Sequence, residues 1–434
     1  PYRSWFEIGS QYPLGYRAWA GVPNLPEVAL ENPAARDYLW RRPDSVVAHF
    51  LKMGVDGWRL DVAHEIGFEH LAELTQSAHE HKAGSLVIGE AWVYPSRWTK
   101  SMDALMNIFL RHLVVGFAKE EVSGRKMAAA LDAMIADCGI EPLLKSWIVL
   151  ANHDMPRLAT RLPDPGLRKM AVALQFALPG SPMVYYGDEV GMVGGDDPAQ
   201  RAPMRWDLVT DTNEDLAWHR KVAGIRAKSR ALKIGDCRTL ASDALFAFVR
   251  TTEEALDTTI VVANPTSKPV TETLVVPVPT LLGYTQLRDE LGGGSVRVAV
   301  GSIRPTVPPH SVQVYRIVEE PGRHDQYKRL RWYGALSSPS GLVLPRRASF
   351  EDGGESDQQA AHDRHHRLLV GASARAQPGV VVLGPVEPSD ARQGGHVQRG
   401  FEPRVAPSDS RRLARLPGLP VQRSDSGVGG RLGG

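Results

Sequence analysis

Three acidic residues stand at the ends of short apolar runs: Asp61 closes GVDGWRLD, Glu90 closes SLVIGE, and Asp154 follows SWIVLANH. Charges at such positions are costly unless they are paired or used. Two carboxylates facing one scissile bond suit glycoside hydrolysis, in which one attacks the anomeric carbon and the other protonates the leaving oxygen and then activates water. Arg59 lies two residues before Asp61, on the same side of an extended strand, where it can hold Asp61 ionised through charge-assisted hydrogen bonds. An isolated Arg59–Asp61 pair also reads as a structural ion pair. The joint spacing with Glu90 and Asn152-His153-Asp154 favours chemistry, because successive carboxylates fall one and then two βα units apart.

The elements that would position these residues alternate. GVDGWRL (54–60), SLVIGEA (85–91), MDALMNIF (102–109), SWIVLAN (146–152) and PMVYYGDE (182–189) read as strands apolar on both faces. Amphipathic helical stretches lie between them, over 68–81, 126–136 and 166–177. Alternation of this kind implies parallel strands with helical crossovers. No GxGxxG or GxxxxGK[ST] follows a strand, so a (β/α)8 barrel is favoured over a nucleotide-binding sheet. In a barrel the C-terminal strand ends converge on one face, which would bring the three carboxylates together.

After Trp206 a helical segment (214–232) leads into LFAFVR, TTIVVANP, VTETLVVPV and HSVQVYRI, the pattern of an antiparallel β-sandwich ending near Ile317. The remaining residues contain no Ile and a single Lys, Lys328, and are rich in Gly, Pro, Ser and Arg. Such a composition buries too little apolar surface to fold. It reads as a disordered extension or, preferably, as out-of-frame translation of a GC-rich gene. The HDRHH cluster within it reads as a compositional accident rather than a metal site. The expected organisation is therefore 1–213 barrel, 214–317 connecting helix and β-sandwich, and 318–434 disordered or mis-framed tail.

Composition excludes several classes. Across 434 residues the formal net charge is +2, with 43% hydrophobic content, giving no reason to expect nucleic acid or an acidic membrane surface. Cys138 and Cys237 are the only cysteines and form no metal or redox motif. No apolar run reaches membrane-spanning length, and the first residues lack a signal-peptide pattern. A cytoplasmic location is expected.

GWRLDVAHE, VIGEAW and LANHDMPR resemble three signature regions of the alpha-amylase family of glycoside hydrolases. SPMVYYGDEVGM and QRAPMRWD resemble its last-strand region and the segment after it. WFEIGSQYPLGYRAWAG and GVPNLPEV are similar to the neopullulanase, cyclomaltodextrinase and maltogenic amylase group. The resemblance implies Asp61 as nucleophile, Glu90 as acid/base, Asp154 as transition-state stabiliser, His153 as a binder of sugar hydroxyls, and Arg59 as the residue that orients Asp61. It places His64 and Glu65 at acceptor-subsite positions, with solvated helix-start residues as an equal reading. Trp92 and Trp98 stand as sugar-stacking candidates or as packing residues. It implies a retaining α-glycosidase acting on α-1,4-linked maltodextrins or cyclodextrins, without a cofactor. A structural calcium occurs in the family, but no residues for one are evident here. Alternatives are a transglycosylase or isomerase acting on trehalose or sucrose, and a non-catalytic sugar-binding relative. The family pattern further implies that barrel strands precede residue 1, that only about strands 4–8 are present, and that this chain is an incompetent fragment of a longer parent in which a homodimer is expected.

Overall fold

A computed structural model describes residues 2–318; the expected tail and its HDRHH cluster lie outside the described residues. Chain order begins with α1 (Pro33–Arg36) and α2 (Val46–Lys52), followed by β1 (Gly57–Leu60), α3 (Phe68–His81), β2 (Leu86–Ala91) and β3 (Ala104–Asn107). Next come α4 (Ile108–Ala118), α5 (Gly124–Cys138), α6 (Ile140–Lys145), β4 (Trp147–Val149), α7 (Leu158–Arg161), α8 (Pro165–Ala177) and β5 (Ser181–Met183). The five strands form one parallel sheet in sequential order, as the alternating pattern requires. β2 and β3 are buried almost throughout, which explains their apolar character on both faces.

Two of the expected strands stop early. In MDALMNIF the strand ends at Asn107, whose side-chain oxygen accepts the Leu110 N–H at 3.0 Å and starts α4 there. β5 stops at Met183, and the following YYGDE is a turn and a single 3-10 turn. Gly187, at φ 86°, turns the chain out of the sheet.

Beyond α9 (Glu214–Lys228) and α10 (Arg230–Ile234) the chain becomes all-β. β6 (Asp236–Leu240), β7 (Phe246–Thr251) and β8 (Thr259–Asn264) are followed by β9 (Val270–Thr271), β10 (Leu274–Val275), β11 (Gln286–Asp289), β12 (Ser295–Arg297), β13 (Ser302–Ile303), β14 (Thr306–Val307) and β15 (Ser311–Ile317). Six of them make one antiparallel sheet in the order β12-β11-β15-β8-β7-β6, and β10–β13 and β14–β9 pair as short ribbons. Alternate residues of β7 serve two cores. Ala247 and Val249 join Leu274, Ile303 and Val307 of the ribbons. Phe246 and Phe248 face the helices instead, in one core with Phe117, Met127 and Leu174. The VTETLVVPV stretch is split between two ribbons rather than forming one strand.

Two buried arginines pin the all-β part to the parallel sheet. Arg250 follows Phe246 and Phe248 on the same face of β7 and is completely buried. It donates to the carbonyls of Ala177 at 2.7 Å, Gly235 at 2.8 Å and Asp236 at 3.2 Å. Arg226 of α9 donates to Phe176, Gly180 and Leu232 carbonyls at 2.9, 2.6 and 2.7 Å. The carbonyls left over at the end of α8, just before β5, thus receive two guanidinium groups, the favourable charge for a helix C-terminus. Burial works against both charges.

Among the described residues no helix is long and apolar enough to cross a membrane.

Replacing Arg250 by Met should orphan three carbonyls, each costing about 1–3 kcal/mol. Urea unfolding should show a loss of at least ~2 kcal/mol, whereas Arg125→Gln, which breaks an exposed pair with Asp243, should stay within ~0.5 kcal/mol. Equal effects would remove the pinning role.

Asp188, in the turn after β5, is pushed up to about 7 by burial, with Arg157 pulling the other way and Glu189 adding to the rise. A carboxyl whose folded value lies above its unfolded one holds its proton more tightly when folded, so ionising it costs stability as pH rises from about 4 towards 7. Asp188→Asn adds a constant offset from its lost contact with Arg157, but its stability should decline less than wild type between about pH 5 and about pH 8. Parallel pH profiles would show that Asp188 does not titrate in this window.

Candidate active site

The first carboxylate pair is built where β1 ends beside β2. The strands pair with Arg59 opposite Ile88 and Leu60 opposite Gly89, which puts Asp61 next to Glu90 along the same sheet edge. The turn after β1 folds back tightly. Val62 takes the left-handed conformation at φ 42°, ψ 41°, a strained choice for a β-branched residue, on the order of 1–3 kcal/mol. That strain has a visible return, because the Val62 N–H donates to Glu90 Oε2 at 2.9 Å. Ala63 then lies so close to β2 that a Cβ on Gly89 would meet it at 2.8 Å.

Arg59 is the hub. Its side chain is 6% exposed, with Nη1 hydrogen-bonded to Asp61 Oδ1 and Nη2 3.7 Å from Glu90 Oε2. One guanidinium therefore touches both carboxylates. Their environments differ, since the Asp61 side chain is 55% exposed and that of Glu90 only 4%. Glu90 Oε1 accepts the indole N–H of Trp92, so both of its oxygens are held by N–H donors. Trp92 itself presents an exposed ring.

The third carboxylate sits past the end of β4. β4 is two strands along from β2, a lateral offset of about 10 Å. The buried Asn152 accepts the Asp154 N–H at 2.9 Å and shapes the turn. Asp154 Oδ1 takes Arg201 Nη2 at 3.0 Å, and Oδ2 lies 3.2 Å from His153 Nε2. Asp61, Glu90 and Asp154 thus share the C-terminal edge of one parallel sheet, with Asp61 and Glu90 joined through Arg59 and Asp154 held separately.

The other candidates divide. Glu65 is exposed and accepts the Trp19 indole N–H at 2.8 Å, which ties the segment before α1 to the turn after β1. His64 follows the same turn, half-buried. Trp98 is a correction: its ring packs against Phe68 at 4.2 Å and joins the core around Trp40 and Leu71, so it does not face a cleft.

Arg201, Gln200 and Trp19 were not singled out from sequence. Arg201 and Gln200 lie in QRAPMRWD, a motif visible in the sequence, but their partners His153 and Asp154 lie 47 residues away and no local pattern joins them.

A family model described as the alpha amylase catalytic domain matches residues 10–219. Neopullulanase 2 of Thermoactinomyces vulgaris is 29% identical over 323 residues, covering 71% of this chain and 54% of the relative. A cyclomaltodextrinase of Geobacillus thermopakistaniensis is 29% identical over 327 residues, covering 73% and 54%. Among solved structures, the cyclic alpha-maltosyl-(1→6)-maltose hydrolase of Arthrobacter globiformis superposes with a TM-score of 0.60 at 26% identity, covering 73% of this chain and 68% of that one. The chain spans about half the length of the curated relatives it matches. Through this matched segment, the chain belongs to the alpha-amylase family of glycoside hydrolases.

Proposed function

We propose that this chain carries the catalytic face of a retaining α-glycosidase acting on α-1,4-glucosidic bonds of maltodextrins or cyclodextrins. The observation that carries the reading is the single buried guanidinium of Arg59 in contact with two carboxylates of unequal exposure. Asp61, the more open of the two, is the nucleophile and forms a glycosyl ester at the anomeric carbon. Glu90, buried on β2, gives its proton to the leaving oxygen and then takes one from the water that hydrolyses the ester. Asp154 and His153 bind hydroxyls of the sugar at the cleavage point, and their hydrogen bonds strengthen as the ring flattens towards the oxocarbenium-like transition state. Trp92 offers an apolar ring face to an adjoining sugar.

Support from the relatives is at the level of their names, a neopullulanase and a cyclomaltodextrinase. A cytoplasmic location belongs to the same reading. Its supports are two free cysteines and the lack of any membrane-crossing helix among the described residues.

Retention is checked by proton NMR of the first product released from maltotriose. The α-anomer should appear before mutarotation, and initial release of the β-anomer would overturn the double-displacement reading.

Substitution separates the two carboxylates. Glu90→Gln should lower turnover of maltotriose by about 10²–10⁴ and lower cleavage of α-maltosyl fluoride much less, because fluoride leaves without a proton. Azide should restore turnover in Glu90→Gln, since it attacks the glycosyl-enzyme without a general base. Asp61→Asn should abolish both reactions without rescue. Identical failure of the two variants on both substrates would show that the roles are misassigned.

A further inference from the structure

We propose that Arg201 is a positioning residue: it fixes the plane and direction of the Asp154 carboxylate that binds the sugar, and the loop around it exists to deliver it. The proposal rests on the α-glycosidase reading above and extends it to a residue that reading does not use.

Asp154 needs such a device. Its side chain is 36% exposed, so left alone it would sample several rotamers, while hydroxyl binding in a transition state tolerates displacements of only about 1 Å. Here each oxygen has a separate partner, Arg201 Nη2 on Oδ1 at 3.0 Å and His153 Nε2 on Oδ2 at 3.2 Å. Two contacts on opposite oxygens define a carboxylate plane; one would leave it free to rotate. The Arg201 guanidinium is itself held from its other edge, with Nε 3.2 Å from Asp197 Oδ2.

The backbone carrying Arg201 is tied on both sides. The preceding residue, Gln200, is 2% exposed, donates through Nε2 to the His153 carbonyl at 2.8 Å, and accepts the Tyr185 hydroxyl on its own carbonyl at 3.2 Å. The following residue, Ala202, accepts the Tyr186 hydroxyl at 2.7 Å. At the start of the loop, Gly194 O accepts the Arg157 N–H at 2.9 Å and the Gly194 N–H reaches Thr160 Oγ1 at 2.8 Å. The loop is therefore sewn to the residues flanking Asp154 and to the end of β5, and Arg201 is the member whose side chain reaches the reacting edge. Its side chain remains 46% exposed, so the pair faces the cleft rather than the core. A purely structural salt bridge has no need of that exposure, and an exposed pair adds little to stability.

Positioning and mere loop stability separate in a double-mutant cycle on the full chain with maltotriose. Arg201→Gln should lower kcat by about tenfold to a hundredfold with KM nearly unchanged, because the lost interaction is made in the transition state. Arg201→Lys should recover part of the loss, since an ammonium reaches one carboxylate but not both. The Asp154→Asn, Arg201→Gln double variant should be no slower than Asp154→Asn alone. Arg205→Gln, which breaks a neighbouring exposed pair with Asp207, serves as the control for charge loss in this loop. The contact is also read without sugar, from the Arg201 Nε–Hε NMR signal, which should shift in Asp154→Asn and lose protection from exchange.

Multiplying losses in the double variant, or an Arg201 signal indifferent to Asp154→Asn, would overturn the proposal while leaving the α-glycosidase reading intact. A wild-type chain that turns over no maltotriose would count against the α-glycosidase reading, and with it against a positioning role in that reaction.

Discussion

The site depends on a guanidinium taken almost wholly out of water and set against two carboxylates. Arg59 cannot be buried at the end of β1 without anionic partners, because an uncompensated charge there would cost several kcal/mol, about 3–5 when one partner of a buried pair is lost. Asp61 and Glu90 meet that demand, and in doing so are drawn to one point of the sheet edge. The rest of the local architecture accommodates the arrangement. Val62 accepts a left-handed backbone so that its N–H reaches Glu90, and Gly89 leaves room for the turn to fold over β2. The geometry binds the two carboxylates to each other through β1 and β2 alone, adjacent strands with a fixed register.

Asp154 is reached by a longer route. Its direction depends on the loop of residues 194–202, which hangs on the tyrosines after β5. β5 in turn follows the end of α8, where Arg226 and Arg250 capture the last carbonyls and fasten them to the all-β sheet. A chain of buried polar contacts therefore runs from the β7 face to the edge on which Asp154 stands. This gives the C-terminal sheet a physical reason to be packed against the helices: it fixes where the fifth strand enters. The coupling is through rigid packing and hydrogen bonds, with no second arrangement needed.

Strands β1 to β4 and helices α3, α5 and α8 were legible in the sequence because their burial is nearly complete and their periods are clean. Asp61, Glu90 and Asp154 were legible for the complementary reason, as charges where an apolar pattern breaks off. The apolar run PMVYYGDE misled at β5, since two tyrosines that read as strand residues instead turn outward to hold the loop after them. β6, β11 and β12 escaped notice because their exposed faces carry Asp, Arg, Gln and Ser and leave only one or two apolar residues each. Trp98 read as a possible sugar platform because ring type says nothing about direction, and Phe68 claims its face. Arg201 was invisible for a different reason: its meaning lies in a contact with Asp154 across two loops, which no local pattern encodes.

The central claim is that Asp61, held by Arg59, is the atom source of the covalent bond while Glu90 only moves protons. Glu90→Gln incubated with α-maltosyl fluoride, quenched, digested and mapped by mass spectrometry tests it most directly. The account predicts a maltosyl adduct confined to the peptide that contains Asp61. An adduct on any other carboxylate, or turnover of the fluoride with no adduct at all, would contradict it.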